Sequence, residues 1–222
     1  MIELRPQRTY GRSRSRTLKP RQASLLETLL PRLALPDFPF DPRALAPACQ
    51  VWLEIGFGGG EHLAVQAARR PDVLFLGAEA YLNGVASALR HVEAAGLANV
   101  RLHLGDGRDL MARMPDACLE RLYLLFPDPW PKARHHKRRL VTPAFVDEAG
   151  RLLRPGGIVR FATDWVDYAE DVLARFLAHP AFAWTAESAR DWREPPADHV
   201  ATRYQAKRLG DCPPIWLEFA RR

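Results

Sequence analysis

Four acidic residues lie at the ends of predicted strands, where their carboxylates could bind a cationic or hydroxyl-bearing ligand. They are Glu54, Glu79, Asp106 and Asp128. The first begins the stretch Glu-Ile-Gly-Phe-Gly-Gly-Gly, in which Gly56, Gly58 and Gly60 permit a tight turn and the close approach of a ligand to the backbone. Glu79 follows Gly60 by nineteen residues, near the spacing of about 20 at which an acid contacts ribose hydroxyls.

The acidic character of this rim discriminates between nucleotide cofactors. A dinucleotide carries a pyrophosphate, which carboxylates repel. S-adenosyl-L-methionine has no phosphate and carries a sulfonium and an ammonium group, so it suits these acids better. Each acid taken alone is equally compatible with a turn or a helix N-cap. Their recurrence at four successive strand ends favours a cofactor site.

A rigid corner follows the fourth predicted strand, within residues 123–139, Tyr-Leu-Leu-Phe-Pro-Asp-Pro-Trp-Pro-Lys-Ala-Arg-His-His-Lys-Arg-Arg. Pro127 and Pro129 fix φ and disfavour the helical region for the residue before each of them, which predicts extended conformations there. Asp128 and Trp130 should therefore project from a stiff turn at the carboxyl end of a strand, where open α/β sheets bind ligands. An ordinary surface turn is the alternative.

Positive charge is concentrated in two segments of a chain whose net charge is +6. Residues 1–22 hold seven Lys or Arg and one acid, and residues 132–139 hold five Lys or Arg and no acid. Two basic segments on an otherwise acidic body predict a phosphate-rich partner. A solvated charge run is the alternative. A membrane-surface role is disfavoured because neither segment has a large apolar face.

Several classes of protein are excluded by composition. The sequence has no run of about 18 apolar residues and no apolar signal core, so we expect neither a membrane span nor secretion, and a cytoplasmic location. Cys49, Cys118 and Cys212 are odd in number and far apart, which argues against a disulfide framework and a zinc site. The adjacent His135 and His136 have no matching ligand set, so no metal is expected.

Regular alternation of strands and helices predicts one α/β domain over residues 23–222, preceded by a basic arm over residues 1–22 that we expect to be flexible. The expected fold is a mostly parallel doubly wound sheet with an antiparallel C-terminal edge strand. Predicted strands cover 51–55, 73–79, 100–105, 121–126 and 158–163, with two further β runs at 182–187 and 215–220. Predicted helices cover 24–33 (ended near Pro31), 60–70, 83–95, 109–114, 143–153 and 166–178.

With these motifs in place, the chain closely resembles the bacterial tRNA guanine-N7 methyltransferases. The resemblance spans nearly the whole sequence. Its most specific part is the Phe126–Arg139 corner, since the glycine loop alone would fit any class I methyltransferase. Arg138-Arg139, Thr163-Asp164 and Thr202-Arg203-Tyr204 complete the match. The resemblance implies a Rossmann-like fold that uses S-adenosyl-L-methionine to methylate a guanine in the variable loop of tRNA.

The resemblance also implies roles for individual residues. Asp128 would be the catalytic residue. Cofactor contacts would come from Glu54, Gly56, Gly58, Gly60, Glu79, Asp106 and Asp128. Substrate contacts would come from Lys132, Asp164, Thr202, Arg203, Tyr204 and Gln205. RNA contacts would come from Arg134, His135, His136, Lys137, Arg138 and Arg139.

One position departs from the family pattern. Where the family usually reads Thr-Lys-Phe-Glu, this chain has Thr-Arg-Tyr-Gln at 202–205. Gln205 thus lacks a carboxylate that would accept hydrogen bonds from guanine. Its amide oxygen still accepts a hydrogen bond, though a weaker one.

The chemistry of guanine N7 sets the expected mechanism. N7 has an in-plane lone pair and no proton, so a general base is not obligatory. We expect Asp128 and Asp164 to place negative charge near the purine, which becomes cationic on methylation. Trp130 or Tyr204 would stack on the base, whereas Phe126 is expected in the core.

Three other functions remain open at this point. An amino methyltransferase of the N6-adenine type often carries an Asp/Asn-Pro-Pro-aromatic loop, and Asp128-Pro129-Trp130 lacks its second proline. A non-catalytic RNA-binding module would not need the intact glycine loop. A nicotinamide-dependent reductase fits poorly with the acidic rim. The sequence leaves monomer and homodimer equally open.

Overall fold

The computed structural model describes residues 17–36, 39–46, 49–207 and 209–222. Its centre is a seven-stranded sheet with the order β3-β2-β1-β4-β5-β7-β6. In chain order the strands are β1 (Gln50–Ile55), β2 (Val73–Glu79), β3 (Val100–Leu104), β4 (Leu119–Leu125), β5 (Leu153–Thr163), β6 (Phe182–Trp184) and β7 (Ile215–Arg221). Strands β1 to β5 pair in parallel, and β7 is antiparallel to both β5 and β6. The predicted fold class is confirmed, with β6 as the outermost strand of the antiparallel pair.

Helices cover both faces of this sheet. They are α1 (Pro20–Thr28), α2 (Leu30–Leu33), α3 (Pro42–Leu45), α4 (Glu61–Arg69), α5 (Leu82–Ala95), α6 (Gly107–Met111), α7 (Pro143–Leu152), α8 (Val166–Ala178) and α9 (Arg190–Arg193), with 3-10 turns at Ala133–Arg138 and Gln205–Lys207. Helices α1, α2, α4 and α5 pack into one apolar cluster, and α6, α7 and α8 pack into another. The domain therefore has three layers, with the sheet between two sets of helices.

The strands supply both apolar clusters because successive side chains point to opposite faces of a sheet. In β1, Leu53 and Ile55 join the α7 and α8 side, whereas Trp52 joins the α4 and α5 side. In β2, Leu76 and Phe75 divide in the same way. Burial on both faces explains why these strands read as nearly continuous apolar runs in the sequence.

Several predicted boundaries shift by one to four residues, and three differences change the assignment of a segment. Helix α1 begins at Pro20, inside the segment assigned to the arm, and residues 1–16 of that segment lie outside the described residues. Pro31 does not end this helix but lies in the first turn of α2, where its missing N–H costs nothing. Pro155-Gly156-Gly157 is not a turn before β5 but an irregularity within it, where the pairing with β4 shifts register.

The strand order places the site. Helical crossovers lead from β1 through β2 to β3 in one direction, and the chain then returns to put β4 on the other side of β1. The point between β1 and β4 is therefore the topological switch, and the carboxyl ends of the strands there form a crevice for ligands. The glycine loop follows β1 and the proline corner follows β4, so both predicted motifs border this crevice.

Helix α5 packs directly against the glycine loop. A Cβ added at Gly84 would lie 2.4 Å from the carbonyl oxygen of Gly58, which is too close for any side chain. Glycine at position 84 therefore lets the helix approach the loop backbone. Among the described helices, none is long and apolar enough to cross a membrane.

Candidate active site

The glycine loop adopts a backbone that only glycine takes up without strain. Gly56, Gly58 and Gly60 have φ values of +74°, +55° and +80°. The N–H of Gly56 donates to the carbonyl of Ala78 at 2.8 Å, which fixes the start of the loop to β2. A Cβ added at Gly56 or Gly58 would meet no atom within 4 Å. The loop thus leaves open space beside its backbone, as a ligand-binding loop requires.

Glu79, at the end of β2, is tied to this loop through its carboxylate. Its Oε2 accepts the N–H of Gly58 at 2.8 Å, and its Oε1 accepts the N–H of Tyr81 at 2.8 Å. Burial raises the pKa of Glu79, these backbone donors oppose that shift, and the charge of Asp128 raises it further. The charge of Asp128 therefore acts on Glu79, which places the two carboxylates on the same side of the site.

The other two rim acids have partners within the fold. Glu54 is buried, with 4% of its surface exposed, and its Oε2 lies 2.8 Å from Nδ1 of His62. Asp106 caps α6 by accepting the N–H of Arg108 at 2.9 Å, and it also pairs with the Arg108 guanidinium at 2.6 Å. Asp106 therefore serves as a helix N-cap, the structural role that the sequence allowed beside a role in cofactor binding.

The proline corner is held by strained backbone rather than by extended residues. Phe126 and Trp130, which each precede a proline, have φ values of +53° and +46°. The expectation of extended conformations before the prolines is therefore wrong at Phe126, and Trp130 likewise departs from that conformation. Non-glycine residues with positive φ cost energy and persist only where the surroundings enforce them. Asp128 lies between these two residues.

Phe126 anchors one end of this corner in the core. Its N–H donates to the carbonyl of Ala162 at 2.8 Å, and its ring meets Trp216 edge to face at 5.9 Å between centroids. With 8% of its surface exposed, Phe126 is a core residue, and that prediction is confirmed.

Arg139 anchors the other end, which corrects its expected role in RNA contact. Its side chain is 2% exposed, because its Nε donates to the carbonyl of Pro129 at 2.9 Å and its guanidinium pairs with Asp167 of α8 at 2.6 Å. The guanidinium also lies over the ring of Tyr168 at 4.7 Å. Arg139 is turned inward and clamps the corner to α8, so it does not present its charge to a partner.

The remaining basic residues differ in exposure. Lys132, Arg134 and Lys137 are exposed. Arg138 is half-buried, with its guanidinium 5.0 Å from the Trp130 ring centroid. These four side chains, and not Arg139, form the cationic surface of the corner.

The two histidines of this tract are half-buried. His136 lies 3.4 Å from the carboxylate of Asp167, and His135 meets the Trp130 ring edge to face. Slight burial and the charges of Arg138 and Arg134 lower the pKa of His135. It therefore adds little positive charge at neutral pH. Among the described residues, no group of three or more His, Cys, Asp or Glu is placed to hold a metal ion.

Asp128, Asp164 and Tyr204 converge at the carboxyl end of the sheet. Asp164 follows β5, is 5% exposed, and accepts the N–H of Gly210 at 2.9 Å. Burial, together with the charges of Asp164 and Asp128, raises the pKa of Tyr204 to about 12. The Tyr204 ring also packs 5.7 Å from that of Phe126. Tyr204 thus links the proline corner to the end of β5.

Asp128 is the carboxylate that the fold leaves available. Its side chain is exposed, yet neighbouring protein atoms shield it enough from water to raise its pKa. Among the described residues, it has no hydrogen-bond or ion-pair partner. A surface carboxylate with a raised pKa at a ligand crevice is a functional candidate.

The segment 202–205 is fastened at two further points. Arg203 pairs with Glu61 of α4 at 2.7 Å, and Oε1 of Gln205 lies 2.8 Å from Nε2 of His199. Thr202 caps the following turn by accepting the N–H of Gln205 at 3.4 Å. The structure therefore gives the atypical Gln205 a specific partner.

Sequence reasoning missed the buried polar side chains beneath the site. His62 and Gln66 are each 2% exposed and connect Glu54 to the carbonyl of Asp198. Their spacing of four residues on one face of a predicted helix was a usable signal. Asp198 was not detectable in this way, because its partners lie far from it in the chain.

Replacing Arg139 tests the clamp. We expect Arg139→Met to lower the free energy of unfolding by about 1.5–3 kcal/mol, since hydrogen bonds to charged groups are lost. Arg134→Met, on the 3-10 turn that directly precedes Arg139 and exposed, should change it by about 0.5 kcal/mol or less. Denaturant unfolding of both variants measures this, and equal stabilities would show that the corner does not depend on Arg139.

Comparison with known proteins agrees with this geometry. A family model described as “Putative methyltransferase” matches residues 48–215. The 16S rRNA methyltransferase KamB has the same fold, with a TM-score of 0.54 at 14% identity over 81% of this chain and 92% of its own.

Two curated relatives are similar over almost their whole length. The tRNA (guanine-N(7)-)-methyltransferase of Caulobacter sp. (strain K31) is 60% identical over 218 residues, which cover 97% of this chain and 96% of that protein. The protein of the same name from Hyphomonas neptunium (strain ATCC 15444) is 50% identical over 215 residues, which cover 96% of this chain and 98% of that protein. The chain therefore belongs to the tRNA (guanine-N(7)-)-methyltransferase family.

Proposed function

We propose that this protein transfers the methyl group of S-adenosyl-L-methionine to N7 of a guanine in the variable loop of tRNA. The observation that carries the proposal is the convergence of Asp128, Asp164 and Tyr204 beside Glu79, at the switch point of the sheet. This proposal also places the protein where tRNA is processed, in the cytoplasm.

The residues at the crevice fit a sulfonium cofactor. The loop at Gly56 and Gly58 has open space beside its backbone, and Glu79 is hydrogen-bonded to the loop itself. We assign Glu54 to the ammonium group, Glu79 to the ribose hydroxyls and Asp106 to the adenine amino group. When bound, the cofactor supplies an electrophilic methyl group.

The Asp128 carboxylate is assigned to the guanine. Because N7 has a lone pair and no proton, Asp128 does not need to remove one. It orients the base and, with Asp164, stabilises the positive charge that the purine gains. Neighbouring protein atoms partly shield the Asp128 carboxylate from water and raise its pKa, and this shielding strengthens its electrostatic effect on a bound base.

The remaining substrate contacts come from two surfaces that flank Asp128. We assign the exposed Lys132, Arg134 and Lys137 to tRNA phosphates, and Arg138, which packs on Trp130, to the same surface. His135 and His136 lie beside these cations and contribute polar contacts. On the other side, we assign Thr202, Arg203, Tyr204 and Gln205 to the guanine and its neighbours.

Methylation of purified tRNA with labelled S-adenosyl-L-methionine tests the proposed function. Digestion to nucleosides should yield labelled 7-methylguanosine, mapped to the variable loop. Labelled N6-methyladenosine would instead support an amino methyltransferase. If calorimetry showed tRNA binding but no binding of S-adenosylmethionine, a non-catalytic RNA-binding protein would be the better description.

Replacing Asp128 should separate activity from stability. With cofactor and tRNA saturating, we expect Asp128→Asn to lower the single-turnover rate by about 100-fold, as for loss of one electrostatic contact to a transition state. Because the pKa of Asp128 is raised on folding, its ionised form at neutral pH opposes folding, and asparagine removes that penalty. The melting temperature should therefore stay the same or rise.

The control for this variant is Asp116→Asn, an exposed acid before the amino end of β4. It should leave the single-turnover rate unchanged. An Asp128→Asn enzyme with a near wild-type rate would remove Asp128 from the mechanism, and a lower melting temperature would contradict its electrostatic cost in the fold.

Salt dependence tests the cationic surface. The logarithm of the tRNA association constant should fall linearly with the logarithm of the salt concentration. We expect simultaneous alanine substitution of Lys132, Arg134 and Lys137 to make this slope less steep by about 3, or about 1 for each lost phosphate contact. Arg154→Ala, exposed at the opposite edge of the sheet, should leave the slope unchanged. Filter binding of tRNA over a salt series measures it, and an unaltered slope in the triple variant would place the RNA elsewhere.

A further inference from the structure

A continuous line of buried polar side chains runs beneath the site. Glu54, His62 and Gln66 are 4%, 2% and 2% exposed. Oε2 of Glu54 lies 2.8 Å from Nδ1 of His62, Nε2 of His62 lies 3.3 Å from Nε2 of Gln66, and the same Gln66 nitrogen donates to the carbonyl of Asp198 at 2.8 Å. The cofactor side of the crevice is thereby connected to the loop that leads to residues 202–205.

The hydrogen bonds of this line determine where its protons lie. A carbonyl oxygen only accepts, so the Gln66 atom facing Asp198 must be the amide nitrogen, which also points a hydrogen at His62. Nε2 of His62 must then accept, and its proton is on Nδ1, where it is donated to Glu54. His62 is therefore neutral. The Glu54 carboxylate thus accepts its hydrogen bond from a neutral imidazole.

Helix α4, which carries His62 and Gln66, also fastens residues 198–205, here called the substrate loop, by exposed contacts. Arg69 donates to the same Asp198 carbonyl at 3.0 Å, and Glu61 pairs with Arg203 at 2.7 Å. The Asp198 carboxylate itself pairs with Arg160 at 2.7 Å. Burial works to raise the pKa of Asp198, but the hydrogen bond and charge of Arg160 hold it below its usual range.

In the structure, residues 198–205 are docked on α4. The Asp198 carbonyl fixes the Gln66 amide, which in turn holds the His62 ring that orients Glu54. If this loop undocks, Gln66 loses that partner and no longer holds the His62 ring, so the Glu54 carboxylate is oriented less firmly. A cation bound to Glu54 therefore favours the docked loop, and a ligand held by the docked loop favours the oriented carboxylate.

We propose that His62 and Gln66 are positioning residues that couple cofactor binding at Glu54 to tRNA binding at residues 198–205. This inference rests on the proposed function. Neither side chain touches a reacting atom. Their effect is that each ligand strengthens the binding of the other by the same factor.

The test measures this factor directly. The affinity of S-adenosylhomocysteine, which keeps the ammonium group, is determined by calorimetry with and without saturating tRNA. We expect tRNA to tighten binding at least fivefold in the wild type, the lower end of typical coupling. In Gln66→Met, which keeps the size but not the donors, the factor should fall below about twofold.

A second pair of variants tests His62 in a way that a purely structural role would not reproduce. His62→Asn keeps a donor near the position of Nδ1 but loses the connection to Gln66, so it should retain cofactor affinity within about threefold and lose the coupling. His62→Leu should lose both, with affinity about tenfold weaker or more, because one hydrogen bond to a charged group is removed. The expected result is that His62→Asn retains the cofactor affinity that His62→Leu loses, while both variants lose the coupling.

The matched control is Gln50→Met, the same chemical change at the opposite end of β1, where Gln50 accepts from Trp52. This variant should retain the wild-type factor by which tRNA tightens the binding of S-adenosylhomocysteine. A wild type without coupling, or a Gln66→Met or His62→Asn protein with full coupling, would overturn the inference. A wild type that couples the two ligands but forms no 7-methylguanosine would overturn the proposed function instead.

Discussion

The site depends on keeping several carboxylates close together at one end of a sheet, where their charges repel one another. The protein stabilises these carboxylates by several kinds of contact. Glu54 accepts from a neutral imidazole, Glu79 and Asp164 accept from backbone N–H groups, and Asp106 pairs with an arginine. Asp128, among the described residues, receives none of these contacts. The Asp128 carboxylate therefore keeps its charge available at the carboxyl end of the sheet, where the proposed function requires a negative charge beside a sulfonium and a methylated purine.

The geometry that holds Asp128 combines local strain with long-range contacts. Phe126 and Trp130 have positive φ on either side of it, and such conformations persist only if the surroundings fix both ends. At one end, the Phe126 ring is packed against the sheet. At the other, Arg139 bonds to the carbonyl that follows Asp128 and to helix α8. The corner thus has the rigidity of the sheet and helix to which it is fastened, although it is formally a loop.

Much of this architecture could be predicted from the sequence, because it follows from local patterns. Strand β2 and helix α8 begin and end where their apolar periodicity predicts, and parallel strands necessarily bring their terminal acids to one edge. Arg139 shows where such reasoning ends, since nothing in a basic run tells which side chain turns inward toward acids some 30 residues later, as Asp167 and Asp171 are. The backbone conformation of Phe126 was predicted wrongly for a related reason. Tertiary contacts overrode the local preference of a residue before proline for extended backbone.

The close packing of Gly84 against Gly58 has a consequence for how the family can change. Helix α5 packs beneath the glycine loop. Even the methyl group of an alanine at position 84 would lie 2.4 Å from the Gly58 carbonyl oxygen and would force the helix and the loop apart. This movement would change the shape of the site. Substitutions on this face of α5 are therefore limited by the shape that the site must keep. A redesign that enlarged the site for a bulkier methyl-donor analogue would have to alter the helix and the loop together.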